Sequence, residues 1–202
     1  MAIRRFSTAD LTGRKGSSLI GGYGWGWSEM DSIATISASG SDGGGGHLFS
    51  NIPQTYQHLR LHVVIRSGRS AATDFLFMRL NGDSGSTYAW HGLSGNGSAA
   101  SSVSNATGVT TYMAFAGLDN IPAASAPSSV FAGFIIDILD YASTSKTTTV
   151  RVMGGFDTNA SGLVCLGSGL WTSTASVSSV AIGSGVQVPT AGTRYALYGI
   201  KG

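Results

Sequence analysis

His58 and His62, which lie four residues apart, come nearest to the spacing of a metal site. On a helix this spacing would place both imidazoles on one face, but the surrounding residues alternate between apolar and polar as in a strand. On a strand the two rings share a face about 13 Å apart, at ~3.3 Å per residue, which is too far for one ion. We therefore expect no metal site, and we expect these histidines to line a polar sheet face or a subunit contact.

The sequence also lacks a convincing set of residues for acid–base or nucleophilic catalysis. Asp137 and Asp140 lie three residues apart at the end of a predicted strand, so their carboxylates are expected on different faces. Asp140 and Asp157 each fit a turn in which the carboxylate accepts backbone N–H groups. The sequence contains neither a Gly-x-Ser-x-Gly nucleophile motif nor a Gly-Lys-Ser/Thr phosphate loop. We predict that the protein is not an enzyme and that it binds no cofactor.

Arg60 and Arg66 lie on one face of the predicted strand His58–Ser67. Such a pair could hold a nucleic-acid backbone, an acidic glycan or the carboxylates of a neighbouring subunit. The net charge of +2 is too small for a general nucleic-acid binder, whose affinity comes from many phosphate contacts. We therefore expect Arg60 and Arg66 to form a subunit contact or a solvated face, with no specific nucleic acid as partner.

The composition indicates which elements position these side chains. The 202 residues include 30 Gly, 30 Ser and 18 Thr but only one Glu, which favours strands and turns over helices. The single cysteine, Cys165, excludes an internal disulfide. The start MAIRRFSTAD lacks the apolar region of a secretory signal, and no uninterrupted apolar stretch is long enough for a membrane helix. We expect neither a signal peptide nor a membrane partner.

Residues 31–202 predict one all-β domain of about ten short antiparallel strands, arranged as a jelly-roll-like β-sandwich. The strand His58–Ser67 is the clearest, because its leucine, valine and isoleucine side chains alternate with polar ones. Val130–Leu139 is apolar on both faces and is therefore expected in the middle of a sheet.

The Asn81-Gly82 pair predicts a tight turn that joins Phe75–Leu80 and Thr87–Leu93 as a hairpin. Residues 94–109 are predicted to form a polar loop, and Thr110–Ala116 is predicted to be the next strand. Tyr88, Trp90 and His91 would then lie beside this loop and could form a glycan-binding patch. The alternative is that these three residues belong to a paired strand with one face buried.

Residues 1–30 differ from the rest of the chain and predict an extended N-terminal arm. Basic residues come first, and aromatic residues then alternate with glycines in YGWGW. Arginine and aromatic side chains are those that most often dominate contact energies between proteins. The candidate partner-binding residues are Arg4, Arg5, Phe6, Arg14, Lys15, Tyr23, Trp25 and Trp27. The alternative is a frayed terminus followed by a first strand whose aromatic side chains face the core.

Blocks of the sequence resemble a family of tailed-bacteriophage virion proteins over nearly the whole length. The most specific segments are Ile52-Pro53-Gln54-Thr55-Tyr56, Arg79-Leu80-Asn81-Gly82-Asp83, Asp137-Ile138-Leu139-Asp140-Tyr141 and Tyr198-Gly199-Ile200-Lys201. The resemblance implies a jelly-roll domain within a phage particle, made in the host cytoplasm, with no catalytic motif.

Within that family the sequence favours a capsid decoration, or cement, protein. Its partners would be the major capsid protein or other virion proteins, and a homo-oligomer is expected, with a trimer favoured. A tail fibre normally has a long repetitive shaft, and no fixed period occurs here. The alternative is a head or tail fibre protein that recognises host glycans, and an unrecognised depolymerase is a third, weaker hypothesis.

Overall fold

A computed structural model describes residues 30–41, 46–115, 120–159 and 161–202. Within these residues the protein is all-β, with thirteen strands and no helix. The strands are β1 Met30–Ser37, β2 His47–Phe49, β3 His58–Ile65, β4 Thr73–Asp74, β5 Leu76–Leu80, β6 Tyr88–Gly95, β7 Ala100–Thr110, β8 Ile121–Pro122, β9 Ala132–Leu139, β10 Thr148–Asp157, β11 Gly162–Trp171, β12 Val180–Ser184 and β13 Arg194–Ile200.

The strands form a sandwich of two main sheets, both antiparallel throughout. The larger sheet has eight strands in the order β1-β13-β3-β9-β10-β11-β6-β7, and the smaller has three in the order β2-β12-β5. A short pair, β4-β8, completes the described structure. One apolar cluster contains residues of both main sheets, among them Leu61, Ile136, Met78 and Ile182. The predicted all-β sandwich is confirmed, and its strands are divided unevenly between the sheets.

Side-chain alternation fixes which face of the large sheet is buried. In β3 the residues Leu59, Leu61, Val63 and Ile65 are buried, as their spacing predicted. Strand β9 lies between β3 and β10, so its predicted position in the middle of a sheet is confirmed. Only one face of β9 is covered, however, since Ile135 on the other face is 37% exposed.

The turn predicted at Asn81-Gly82 is present, but the hairpin around it is wrong. Asn81 and Gly82 both have positive φ, at 53° and 65°, and the Asp83 N–H donates to the Leu80 carbonyl at 3.0 Å. The two strands that the turn joins belong to different sheets, because β5 pairs with β12 whereas β6 pairs with β11 and β7. The turn therefore connects the two layers of the sandwich, and local sequence does not distinguish this from a hairpin.

The polar loop predicted for residues 94–109 is also wrong, because β7 occupies most of it. Strands β6 and β7 form a hairpin whose turn is held by Asn96, the Oδ1 of which accepts the N–H groups of Ser98 and Ala99 at 3.0 and 2.8 Å. Serine and threonine can occupy an exposed edge strand, so the low-complexity composition of residues 94–109 did not distinguish a strand from a loop. The strand predicted at Thr110–Ala116 is replaced by a single bridge between Met113 and Met78, and Ala116 lies outside the described residues.

Candidate interaction surface at one end of the sandwich

The four segments on which the sequence analysis based the expected phage resemblance meet at one end of the sandwich. We call this the arm-bearing end, after the arm that the sequence predicts before Asp31, and define it as Met30 with residues 50–57, 80–87, 140–147, 172–179 and 198–202. It is the end at which β1 begins, β3 begins, and β9 and β13 finish, since Met30 pairs with Ile200 and Ile200 with His58. Segments that are distant in sequence therefore share one surface.

Tyr141 connects two of these segments. Its ring is fully buried, and its hydroxyl donates to the Pro53 carbonyl and accepts the Tyr56 N–H at 3.4 Å. Burial raises the pKa of the Tyr141 hydroxyl. The main-chain carbonyl of Tyr141 accepts the N–H of Val177 at 2.7 Å. A buried tyrosine thus holds the 50–57 loop and the 172–179 loop against the end of β9.

Asn81 connects the third segment to the same loop. Its side-chain amide donates to the Ser176 carbonyl at 2.8 Å, and its Oδ1 accepts the N–H groups of Ser178 and Ser179 at 2.8 and 3.1 Å. Gln54 supports the loop from the other side by donating to the Val177 carbonyl at 2.9 Å. Side-chain amides therefore satisfy the main chain of a loop that has no strand partner.

The carboxylate of Asp83 closes the turn between the two sheets. It accepts the indole N–H of Trp171 at 2.7 Å, the hydroxyl of Thr87 at 2.7 Å and the N–H of Gly85 at 2.8 Å. These bonds, led by the one from Trp171, lower the pKa of Asp83. The turn is therefore held by an ionised carboxylate and not by its backbone alone.

The fourth segment, at the end of β13, anchors the start of β1. Asp31 accepts the ammonium of Lys201 at 2.9 Å and the hydroxyl of Tyr56 at 3.4 Å. The Tyr56 ring covers Gly199 so closely that a Cβ at that position would lie 2.3 Å from ring atoms. The residue that follows the predicted arm is thus bound to two of the family-like segments.

Charged groups at this end are paired within the chain. Lys146 donates to the Asp140 carboxylate at 2.7 Å, which lowers the pKa of Asp140. The Asp140 N–H donates to Nδ1 of His58 at 2.9 Å. The prediction that the Asp140 carboxylate accepts backbone N–H groups is wrong, because Lys146 binds it. The same prediction for Asp157 is confirmed, since its Oδ1 accepts the Asn159 N–H at 2.6 Å.

The predicted arginine pair is separated by the structure. Arg60 forms two bonds with the Asp137 carboxylate on the neighbouring strand β9, at 2.6 and 2.9 Å, on the open face of the large sheet. The Asp137 hydrogen bond, more than its charge, raises the pKa of Arg60. Arg66 is only 5% exposed, so its predicted role in a subunit contact is wrong. The alternation of β3 ends at Ile65, and Arg66 then turns inward to the carbonyl groups of residues 124–130.

The predicted glycan patch of Tyr88, Trp90 and His91 is also wrong as a surface. Tyr88 is fully buried and Trp90 is 4% exposed, because both face the core from β6, whereas His91 points to the open face. The Tyr88 hydroxyl accepts the Leu80 N–H and donates to the Asp83 carbonyl, both at 3.1 Å, and burial raises its pKa to about 12. Two of the three side chains are therefore core residues that no sugar can reach.

Sequence reasoning missed a buried carboxylate at the opposite end. Asp74 is fully buried and accepts the Ser67 hydroxyl at 2.6 Å and the Phe75 N–H at 2.9 Å, with the Arg69 guanidinium 3.9 Å away. No local pattern marks it, because Ser67 and Val186 reach it from other parts of the chain. These contacts satisfy the carboxylate and give it a structural role.

The predicted arm residues Arg4, Arg5, Phe6, Arg14, Lys15, Tyr23, Trp25 and Trp27 lie outside the described residues. Among the described residues, no three His, Cys, Asp or Glu side chains are grouped so that they could hold a metal ion. Cys165 is buried, and burial raises its pKa to about 11. The described part of the chain contains no helix with the length and apolar character of a membrane crossing.

No family model matches the chain, and no curated protein or solved structure matches it significantly.

Proposed function

We propose that this protein is a non-enzymatic structural component of a tailed-phage particle, and that it decorates and stabilises the capsid. The observation that supports the proposal is the convergence at the arm-bearing end. Four segments with the family resemblance are bound to one another there, and the chain enters β1 from the predicted arm at the same place. The predicted arm, residues 1–30, and the surface that adjoins it would then act together on the major capsid protein.

In this proposal a rigid domain and a basic, aromatic arm bind the capsid together. Hydrogen bonds from Tyr141, Asn81 and Gln54 fix the loops of the arm-bearing end, so little loop entropy is lost when this end meets a partner. The arm supplies the arginine and tryptophan side chains that most often dominate contact energies. The fibre alternative loses its proposed glycan patch, because Tyr88 and Trp90 are buried.

The first test is the copy number of the chain in purified particles, measured by quantitative mass spectrometry against the major capsid protein. A decoration protein is expected in a simple stoichiometric ratio to the capsid lattice. A few copies per particle would instead indicate a fibre or tail component. Absence from particles would contradict every virion function.

The second test locates the attachment. Particles that lack the chain are mixed with the purified protein, and incorporation is measured by sedimentation. Deletion of residues 1–22, or Trp25→Ala with Trp27→Ala, is expected to prevent incorporation. Ser98→Ala, in the exposed turn at the opposite end of the sandwich, is the matched control and should incorporate as the wild type does. Equal incorporation of all the variants would remove the arm from the proposal.

A further inference from the structure

The open face of the eight-stranded sheet carries most of the exposed large apolar side chains of the described residues. Six of the nine lie there, on β3, β9, β10, β11 and β6. Their exposed fractions run from 37% for Ile135 to 63% for Val164, and the set is Val64, Leu93, Ile135, Met153, Val164 and Leu166. Single exposed apolar residues are ordinary, whereas a contiguous group of this kind marks an interaction site.

Strand register arranges four of these side chains in a straight row. Ile135 pairs with Met153, Met153 with Leu166, and Leu166 with Leu93. Neighbouring strands lie about 4.8 Å apart, so this apolar ridge is ~14 Å long and runs across the strands. The four side chains therefore form one continuous apolar ridge on the surface of the sheet.

A trough runs parallel to the ridge. On each strand it lies two residues from the ridge position, on the side away from Met30. Its row consists of Gly133, Gly155, Val164 and Gly95, which are also paired across the strands. Val164 interrupts the glycines, since its side chain is 63% exposed. A depression of about 840 Å³ lies over these glycines. A Cβ added to Gly133 would meet nothing within 4 Å, so the space above it is open. The face thus presents a ridge and a glycine trough side by side.

We propose that a second copy of this chain packs on this face, with the ridge of each copy in the trough of the other. A two-fold axis that is parallel to the ridge and lies between the two rows places Ile135 opposite Gly133 of the partner subunit. The same rotation places Met153 opposite the partner's Gly155 and Leu93 opposite the partner's Gly95. Leu166 then faces the partner's Val164, so at this one position two apolar side chains pack against each other. A two-fold interface requires a self-complementary surface, and a ridge whose other three side chains face glycines provides one.

Charge complementarity supports the same axis independently. Arg151 and Asp157 are both exposed on the open face of β10, one on each side of the two rows. Arg151 makes no ion pair with any described residue, since the neighbouring Asp137 is bound by Arg60. The rotation that pairs Met153 with the partner's Gly155 also places Arg151 opposite the partner's Asp157. Each interface would contain this ion pair twice.

The contact would extend across the whole width of the large sheet. The rows that contain Met153 and Gly155 both cross all eight strands, from β1 to β7, over about 34 Å. The axis passes near residue 154, towards the end of β10 furthest from Met30. The arm-bearing end therefore stays free, and the dimer does not depend on the proposed capsid function.

The test is the mass of the purified full chain in solution, measured by light scattering and sedimentation over a range of concentrations. The wild type is expected to be a dimer, and Leu93→Glu should weaken it by about a hundredfold or more, because a carboxylate would be buried opposite glycine. Gly133→Leu should weaken it similarly while the fold is kept, since the space above Gly133 is open. Leu48→Glu is the matched control, because Leu48 is 57% exposed on the smaller sheet, and it should leave the dimer intact.

A charge-reversal pair tests the axis itself. Arg151→Glu should weaken the dimer by about tenfold, and adding Asp157→Lys should restore it, because the two positions face each other across the axis. A monomeric or trimeric wild type would overturn the proposal. A dimer that Leu93→Glu leaves intact, or one that the second charge change fails to restore, would overturn it as well.

Discussion

Asp83 shows how one side chain holds the connection between the two sheets. Its carboxylate binds Trp171, Thr87 and the main chain at Gly85, and these bonds lower its pKa below the ordinary 3.8. The carboxylate is lost only when the pH falls through this lowered value. Its contribution to stability is therefore fully present above the unfolded pKa and is lost as the pH falls through the lowered pKa of the folded state.

We expect Asp83→Asn to reduce the free energy of unfolding most at about pH 7, and the difference from wild type to shrink as the pH falls below 3.8 and through the lowered pKa of Asp83. Chemical denaturation at a series of pH values measures this difference. An NMR titration of the Asp83 carboxylate checks the direction of its pKa. A difference that stays constant with pH would mean that Asp83 acts through packing alone.

The contribution of the Tyr88 hydroxyl to stability can be measured by removing that one group. Its hydroxyl is the partner of the Leu80 N–H in the core, so Tyr88→Phe leaves a buried donor unsatisfied. We expect a loss of about 1–2 kcal/mol in unfolding free energy. Tyr198→Phe is the matched control, because the Tyr198 hydroxyl makes no hydrogen bond with a described residue, and it should change stability by less than about 0.5 kcal/mol. Equal effects would contradict the role of the Tyr88 hydroxyl.

Individual elements differ in how far the sequence predicts them. The alternation Leu59, Leu61, Val63, Ile65 predicted the buried face of β3, because a period of two is a local property of the chain. The partner of β5 was not predictable, since the Asn81-Gly82 turn has the same sequence whether it joins neighbours in one sheet or crosses between layers. Only long-range packing decides between the two.

The burial of Arg66 also depends on long-range packing, in this case against a loop. It follows β3 and donates to four main-chain carbonyls, at 2.7 Å to Pro127, 2.8 Å to Ala126, 3.1 Å to Val130 and 3.3 Å to Ala124. The alternation of residues along the strand predicted that Arg66 lies on the same face as Arg60. Its hydrogen-bond partners instead lie about sixty residues away in sequence. The acceptors are backbone groups, which carry no sequence signal, so its burial could not be predicted.

We expect Arg66→Ala to cost about 3 kcal/mol or more in unfolding free energy, because buried carbonyls lose their donors. Arg66→Lys should recover only part of this, since an ammonium cannot reproduce the planar fork. Arg60→Ala is the control: its ion pair with Asp137 is partly exposed, and its loss should cost about 1 kcal/mol or less. Thermal and denaturant unfolding of the three variants would decide, and equal losses for Arg60→Ala and Arg66→Ala would contradict the assignment.

At the scale of the whole molecule, the described residues form a core and two distinct surface regions. One continuous core joins both main sheets, the arm-bearing end gathers the family-like segments, and the apolar ridge lies on the open face near the opposite end. Composition predicted the sandwich, because glycine, serine and threonine disfavour helices. It did not predict the ridge and trough, since those rows exist only once four strands are in register.

This division predicts that the arm contributes little to the stability of the sandwich. The core cluster contains Leu61, Ile136, Val180 and other residues beyond position 30, and the start of β1 is fixed by Asp31 with Lys201 and Tyr56. Deletion of residues 1–22 should therefore leave one cooperative unfolding transition, with a melting temperature within about 2–4 °C of the full chain. Calorimetry measures both quantities. A large drop or a second transition would mean that residues 1–22 contribute to the folded domain and do not act as a separate arm.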